Sequence, residues 1–295
     1  MKTALIYHPI FLQHDTGPHH PERASRLQAI LRKLEKTRLI DKLKLIEPKA
    51  ATIEDIVSVH AKDYVLRVKE HGPGNLDPDT VISKDSFDAA LFAAGAVIKG
   101  IDLVVRGDAD NAFCMVRPPG HHAGPSQAMG FCIFNNVAIG ARHVLRKHGL
   151  KRVAIIDWDV HHGNGTEEIF YNDQSVFYIS LHQYPHYPGT GQTSSPFNLN
   201  IPMPGGSGDK EYIKAFKEAI IPKLKDFNPE FILISAGFDG HKDDPLSSIN
   251  LTEPGYHEMT CLIKDIAPIV SVLEGGYNLL SLANSAYSHL EALLS

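Results

Sequence analysis

Short apolar runs alternate with longer amphipathic stretches along the whole chain. The short runs are Thr3–His8, Asn111–Val116, Val153–Trp158, Val176–His182, Phe231–Gly237 and Ile269–Glu274. Most are rich in Val and Ile and several lack a polar face, which is how strands buried on both sides of a parallel sheet read. The longer stretches predict helices near Pro21–Thr37, Ile53–Val59, Asp63–His71, Asp85–Arg106, Asn135–His148, Asp209–Phe227, Glu253–Ala267 and Leu279–Leu294. Asp209 and Thr252 stand at N-cap positions, and Pro254 falls in the first turn after Thr252. No repeat, low-complexity segment or charged linker interrupts the alternation. It predicts a single α/β domain over residues 1–295, one open parallel sheet with helices on both faces.

In such sheets ligands bind beyond the carboxyl ends of the strands, and the polar clusters fall there. Val153–Ile156 runs directly into Asp157, Trp158, Asp159, Val160, His161, His162, Gly163 and Asn164. Residues two apart in an extended segment point the same way, so Asp157, Asp159 and His161 share a face. Two carboxylates and an imidazole in an apolar setting are costly without a cation. Asp and His ligation suits zinc or another divalent first-row ion. Asp239 ends the run Phe231–Gly237 in the same way, and three protein ligands plus an open position make the pattern of a catalytic zinc. Alone, Asp239 is a common turn residue; its weight comes from the first cluster.

Tandem imidazoles, His121 and His122, follow Asn111–Val116 in a Pro/Gly-rich loop. There they can serve as general base and acid around a metal-activated water. Tyr277 follows Gly275-Gly276 at the end of Ile269–Glu274, placed to donate a hydrogen bond to a developing oxyanion. Read alone, Gly-Gly-Tyr is a helix lead-in with a packing tyrosine. His8, His60, His143, His148 and His257 read as packing or surface residues, Trp158 as core, and Asp243-Asp244 as a solvated turn. His14, His19 and His20 lie in a loop that shapes the rim of the site.

Composition narrows the partners. A net charge of -5 gives no basic footprint for direct nucleic-acid binding. Three cysteines, Cys114, Cys132 and Cys261, form no CxxC pair and read as free thiols of a reducing compartment. No stretch is long and apolar enough for a membrane span, and the N-terminal run is too short for a signal peptide. A cytoplasmic location is expected. Oligomeric state is left open.

The motifs together resemble the zinc-dependent histone deacetylases, with features of class II, and their bacterial relatives, the deacetylase-like amidohydrolases and acetylpolyamine amidohydrolases. The matching stretches are HDTGPHHPERASRL at 14–27, VRPPGHHA at 116–123, GFCIFNN at 130–136, IDWDVHHGNGT at 156–166, YISLHQY at 178–184, SAGFDGHKDDPLSSINLT at 235–252 and LEGGYN at 273–278. They stand in family order and span nearly the whole chain. The resemblance implies an arginase/deacetylase-like three-layer α/β/α sandwich with a largely parallel sheet. It implies one catalytic Zn2+ held by Asp159, His161 and Asp239, with iron as an alternative occupant.

By the same resemblance His121 and His122 flank the reacting water and Asp157 orients His121. Asn164 stands behind His122 where class I enzymes carry Asp, leaving His122 less strongly held as a cation. Tyr277 polarises the acetyl carbonyl; class IIa proteins have His there and are poor catalysts on simple acetyl-lysine. Phe131 and Tyr187 wall the acyl-lysine tunnel and Gly130 lines its floor. Asp79 is the rim carboxylate for substrate backbone amides, and Leu246 is a rim hydrophobe. Arg23 resembles an internal-channel arginine. Structural K+ or Na+ would use Asp157, Asp159, His161, Ser180 and Leu181 at one site, and carbonyls near Phe170, Asp173 and Val176 at another.

The implied reaction removes acetyl, or another acyl group, from the ε-amine of lysine in a peptide or protein and releases acetate. Three rivals stand beside it. An acetylpolyamine amidohydrolase would share the chemistry; Leu246, where the eukaryotic polyamine enzyme has Glu, argues against it. An arginase-like ureohydrolase with two manganese ions needs ligands where this chain has Gly163 and His241. A non-catalytic reader of acetyl groups would not need the base, ligand and tyrosine set.

Overall fold

The computed structural model describes every residue from Met1 to Ser295. Eight strands form one wholly parallel sheet: β1 (Thr3–Ile6), β2 (Lys44–Ile46), β5 (Asn111–Cys114), β6 (Val153–Asp157), β7 (Val176–Gln183), β8 (Asn198–Met203), β9 (Phe231–Ala236) and β10 (Ile269–Leu273). Their order is β2-β1-β5-β10-β9-β6-β7-β8. A separate hairpin of β3 (Gly74–Asn75) and β4 (Val81–Ile82) pairs antiparallel and holds Asp79 in its turn.

The helices are α1 (Ser25–Lys36), α2 (Ile53–Val57), α3 (Lys62–Glu70), α4 (Ser86–Val105), α5 (Asn136–Lys147), α6 (Asn164–Phe170), α7 (Asp209–Ala215), α8 (Ile221–Phe227), α9 (Glu253–Ile263) and α10 (Leu279–Leu294). Adjacent residues of β5 show how they cover both faces. Phe113 rests edge-on against His289 of α10, with centroids 5.6 Å apart, while the Cys114 thiol reaches the Ala96 carbonyl of α4 at 3.3 Å. Side chains alternate across a strand, so α4 and α10 lie on opposite sides. The central strands β5, β6, β9 and β10 are buried at every position, as their unbroken apolar runs require.

The six predicted strands are present, five of them slightly shorter than their apolar runs and β7 one residue longer. Two edge strands were not legible. β2 is three residues long and largely exposed, and β8 alternates over Asn198-Leu199-Asn200-Ile201 but carries Pro202, so neither shows the continuous apolar run that marks the other strands. The predicted helix over 209–227 is α7 and α8 joined by a π-helical turn, Phe216–Ile220. Pro222 lacks the N–H that would continue regular α-helical bonding there. Asp209 is the first helical residue and not the N-cap, which is Gly208. Its carboxylate instead accepts the Thr252 N–H at 2.8 Å and the Thr252 hydroxyl at 2.5 Å, tying the start of α9 to α7. Trp158 is wholly buried, as expected. No helix is long and apolar enough to cross a membrane.

Candidate active site

Four neighbouring strands at the middle of the sheet, β5, β10, β9 and β6, deliver the polar residues from their carboxyl ends. The loop after β5 carries His121 and His122, β10 leads to Tyr277, β9 leads to Asp239, and β6 ends in Asp157 and leads to Asp159 and His161. Asp159, His161 and Asp239 are buried, and one atom of each lies within 4.8 Å of the others. His161 Nδ1 is 3.0 Å from Asp159 Oδ1 and 3.3 Å from Asp239 Oδ2.

Backbone donors aim these carboxylates. Asp239 Oδ1 accepts the Val160 N–H at 2.8 Å, and Asp159 Oδ2 accepts the Gly275 N–H at 2.8 Å. A Cβ at position 275 would overlap both carboxylates, so this approach requires glycine. Asp239 Oδ2 is buried with no hydrogen-bond partner. An orphaned carboxylate oxygen beside a second carboxylate and an imidazole fits a divalent cation.

The electrostatics point the same way. Burial raises Asp239, the Asp159 charge raises it further, and it stands at about 7. Burial also acts to raise Asp159, but His121 and His161 overcome it and hold that carboxyl low. Burial alone would lower His161; the two carboxylates reverse this and push it up to about 10.

The tandem histidines are buried and tilted against each other, with ring centroids 4.0 Å apart. His121 Nδ1 donates to Asp157 Oδ2 at 3.0 Å, and the Tyr178 hydroxyl donates to the same oxygen at 2.9 Å. Burial would lower His121, but Asp159 and Asp157 raise it to about 10. His122 Nδ1 donates to Asn164 Oδ1 at 2.8 Å, an amide orientation that also sets Asn164 Nδ2 on the Met129 sulfur at 3.4 Å. Burial and the charges of His121 and His161 hold His122 well below its ordinary value. A neutral imidazole with Nδ1 occupied presents a lone pair at Nε2. Two adjacent histidines are thereby driven apart in basicity, as acid and base roles require.

Several supporting residues were not found by sequence reasoning. Glu274 Oε2 accepts the backbone N–H groups of Gly120 and His121 at 2.6 and 3.2 Å, pinning the tandem-histidine loop. Asp244, expected in a solvated turn, is buried; only Asp243 is exposed. Asp244 Oδ2 accepts the N–H groups of Tyr277 and Asn278 at 2.7 and 3.2 Å, and Oδ1 accepts that of Leu246 at 3.0 Å. The internal arginine is Arg26 and not Arg23, which is exposed on the first turn before α1. Arg26 donates to the carbonyls of Gly276 and Glu274 at 2.6 and 2.5 Å and lies 5.2 Å from the centre of the Tyr277 ring. Glu22 holds Arg26 and Arg117 in one buried ion-pair group. Arg23 precedes the first residue of α1 and faces water, whereas Arg26 lies within α1 on its buried side.

A cavity of about 230 Å3 leads to this centre, lined by Asp79, His122, Gly130, Phe131, His161, His186, Tyr187, Leu246 and Tyr277. Phe131 stands edge-on to Tyr277 at 5.9 Å, and Tyr187 edge-on to His122 at 5.4 Å. Gly130 and Phe131 both have positive φ, +56° and +69°. A Cβ at 130 would strike the His122 ring, and the left-handed turn at Phe131 is strain held at the pocket wall. Asp79 Oδ1 accepts the Gly130 N–H at 3.0 Å, and His20 packs on Phe131 at 4.6 Å. His186, unmarked in the sequence, stacks on His161 at 5.2 Å and bonds the Leu246 carbonyl at 2.9 Å.

Of the residues assigned to the first structural cation, Asp157 and Ser180 are paired across β6 and β7, next to Leu181, Asp159 and His161. The second set lies in the turn from α6 to β7. There the Asp173 N–H donates to the Phe170 carbonyl at 3.0 Å and the Val176 N–H to the Asp173 carbonyl at 3.2 Å.

Residues 20–293 match the profile of the histone deacetylase domain. The chain is similar to a probable deacetylase of Archaeoglobus fulgidus, at 43% identity over 94% of this chain and 82% of that protein. It is 41% identical to histone deacetylase 14, chloroplastic, of Arabidopsis thaliana, over 93% of this chain and 73% of that protein. A histone deacetylase-like amidohydrolase of Pseudomonas aeruginosa is 36% identical over 94% of this chain and 82% of that protein. Among solved structures, the HDA15 HD domain superposes with a TM-score of 0.94 at 38% identity, covering 99% of this chain and 91% of that one. The sandwich fold expected from the motifs is therefore observed, and the chain belongs to the histone deacetylase family of hydrolases that act on amide bonds.

Proposed function

We propose that residues 1–295 form one catalytic domain, a zinc-dependent lysine deacetylase that removes acetyl groups from peptides or proteins and releases acetate. The observation that carries this reading is the narrow aromatic cavity ending at His122, Tyr277 and the Asp159–His161–Asp239 group. Zn2+ held by that trio would acidify a water and polarise the acyl carbonyl. His122 Nε2, its lone pair directed by Asn164, takes the water's proton. The Tyr277 hydroxyl, whose pKa burial and the two aspartates push well up, keeps its proton and donates to the carbonyl oxygen as charge develops there. His121, held by Asp157, stabilises that charge electrostatically, and one histidine of the pair protonates the departing amine. Phe131 and Tyr187 grip the four-carbon stem of the lysine and exclude water.

K+ or Na+ at the two structural sites belongs to the same reading through family resemblance, and a cytoplasmic location belongs to it through the free thiols of a reducing compartment. Asp79 at the rim would accept substrate backbone N–H groups. A two-metal ureohydrolase is disfavoured because His241 Nε2 faces Glu253 at 3.4 Å, away from the trio, and a side chain at Gly163 would overlap Asp157.

A second reading, acetylpolyamine hydrolysis, draws on the same rim. Asp77 raises the Asp79 carboxyl after burial does, and two neighbouring acids would attract an ammonium. Parallel assays of acetyl-lysine peptides and acetylputrescine, with metal analysis of the same sample, separate the two. The lysine reading requires higher kcat/KM on peptide and one zinc at the catalytic centre. Preference for acetylputrescine would overturn it, and acetate release that survives complete removal of metal would overturn both.

A further inference from the structure

A group of side chains of metal-ligating type lies away from the active site. Asp102 of α4, His143 of α5 and His148 at the end of α5 converge so that His143 Nε2 and His148 Nε2 both stand 2.8 Å from one oxygen, Asp102 Oδ1. The imidazoles meet edge to face with centroids 5.2 Å apart. The three side chains are partly accessible, at 24%, 11% and 15%. α5 starts beside the catalytic loop, where the Asn136 amide donates to the Pro118 carbonyl. It then runs its length antiparallel to the strands, about 18 Å at 1.5 Å per residue. The cluster therefore sits toward the amino ends of the strands, at the far end of α5 from the catalytic loop.

We propose that Asp102, His143 and His148 form a second, non-catalytic site for a borderline divalent ion such as Zn2+, clamping α4 to α5. The ligand types are those zinc selects, two neutral imidazoles and a carboxylate with room for water. Nitrogen and oxygen ligands about 2.0–2.1 Å from a tetrahedral ion lie about 3.3 Å from one another. The observed 2.8 Å separations need open by only about half an ångström, a small rotamer adjustment for partly exposed rings. Neither Nδ1 makes a hydrogen bond within the chain, so each ring is free to carry its proton there and turn an Nε2 lone pair to the ion. Arg106 is the cation facing the site, 3.7 Å from Asp102 Oδ2 at an exposed position, leaving Oδ1 to the metal.

The test is metal content of the full chain equilibrated in micromolar free Zn2+, wild type against His143→Gln/His148→Gln. The site predicts loss of one zinc per chain, with kcat and KM on acetylated substrate unchanged. Equal zinc in both proteins would overturn it. Anomalous scattering from zinc-soaked wild-type crystals gives an independent readout. A peak within bonding distance of all three side chains is expected, and a map with density at the catalytic centre alone would reject the second site.

Discussion

Tyr277→Phe isolates one atom to which the proposed mechanism gives a role in the reaction alone. The Tyr277 hydroxyl makes no hydrogen bond within the chain; the residue is held by its backbone N–H on Asp244, by Arg26 and by Phe131. Removing the hydroxyl leaves no buried partner unsatisfied, so stability should change by less than about 0.5 kcal/mol, or under about 2 °C in Tm. The Asp159–His161–Asp239 trio is untouched, and zinc content should stay at the wild-type level. Transition-state stabilisation is another matter. Loss of one donor to an oxyanion costs about 2.7–4 kcal/mol, or about 10²–10³ in kcat, with KM nearly constant because the interaction strengthens only as charge develops. The assay is steady-state deacetylation of an acetyl-lysine peptide, with zinc content and thermal melting on the same preparation. Near-normal kcat in a folded, metal-loaded variant would refute the assignment.

Other expectations follow from the supporting residues. Asp244→Ala removes the acceptor of three backbone N–H groups; it should cost about 1–3 kcal/mol in stability and lower kcat, with Asp244→Asn recovering part of both. Asn164→Asp places a carboxylate on His122 Nδ1 and should raise the pKa of that imidazole through the added negative charge. Because the neutral form is the base, the acidic limb of the kcat/KM profile should move up in pH, and an unmoved limb would remove His122 from that role. His289 is buried between Thr260 and Ser271, and burial lowers it from 6.5 to about 3. The unfolded chain takes up that proton first, so acidification below about pH 6.5 favours unfolding by about 1.4 kcal/mol per pH unit from this group. Denaturant melts of His289→Gln should show the slope reduced by one proton. Leu246→Glu should raise kcat/KM for acetylated polyamines only about 2- to 5-fold, the yield of an exposed ion pair, measured against an acetyl-lysine peptide.

The sequence by itself determined what is local. Unbroken Val/Ile runs marked the central strands because a strand covered on both faces has no polar side, and the ligands and tandem histidines were visible because each follows such a run directly. Edge strands β2 and β8 escaped because a strand half exposed to water carries no unbroken apolar signal. What only the tertiary structure decided is how distant segments satisfy one another. Glu274 pins a loop more than 150 residues earlier in the chain, and Asp244 anchors Tyr277 across 33. Arg26 takes the inner position that Arg23 had suggested, and His186 stacks on His161 without any motif to announce it. Asp102, His143 and His148 converge only because α4 and α5 pack side by side. A buried carboxylate or imidazole is chosen by the donors that meet it in space, and those donors leave no fixed spacing in the chain.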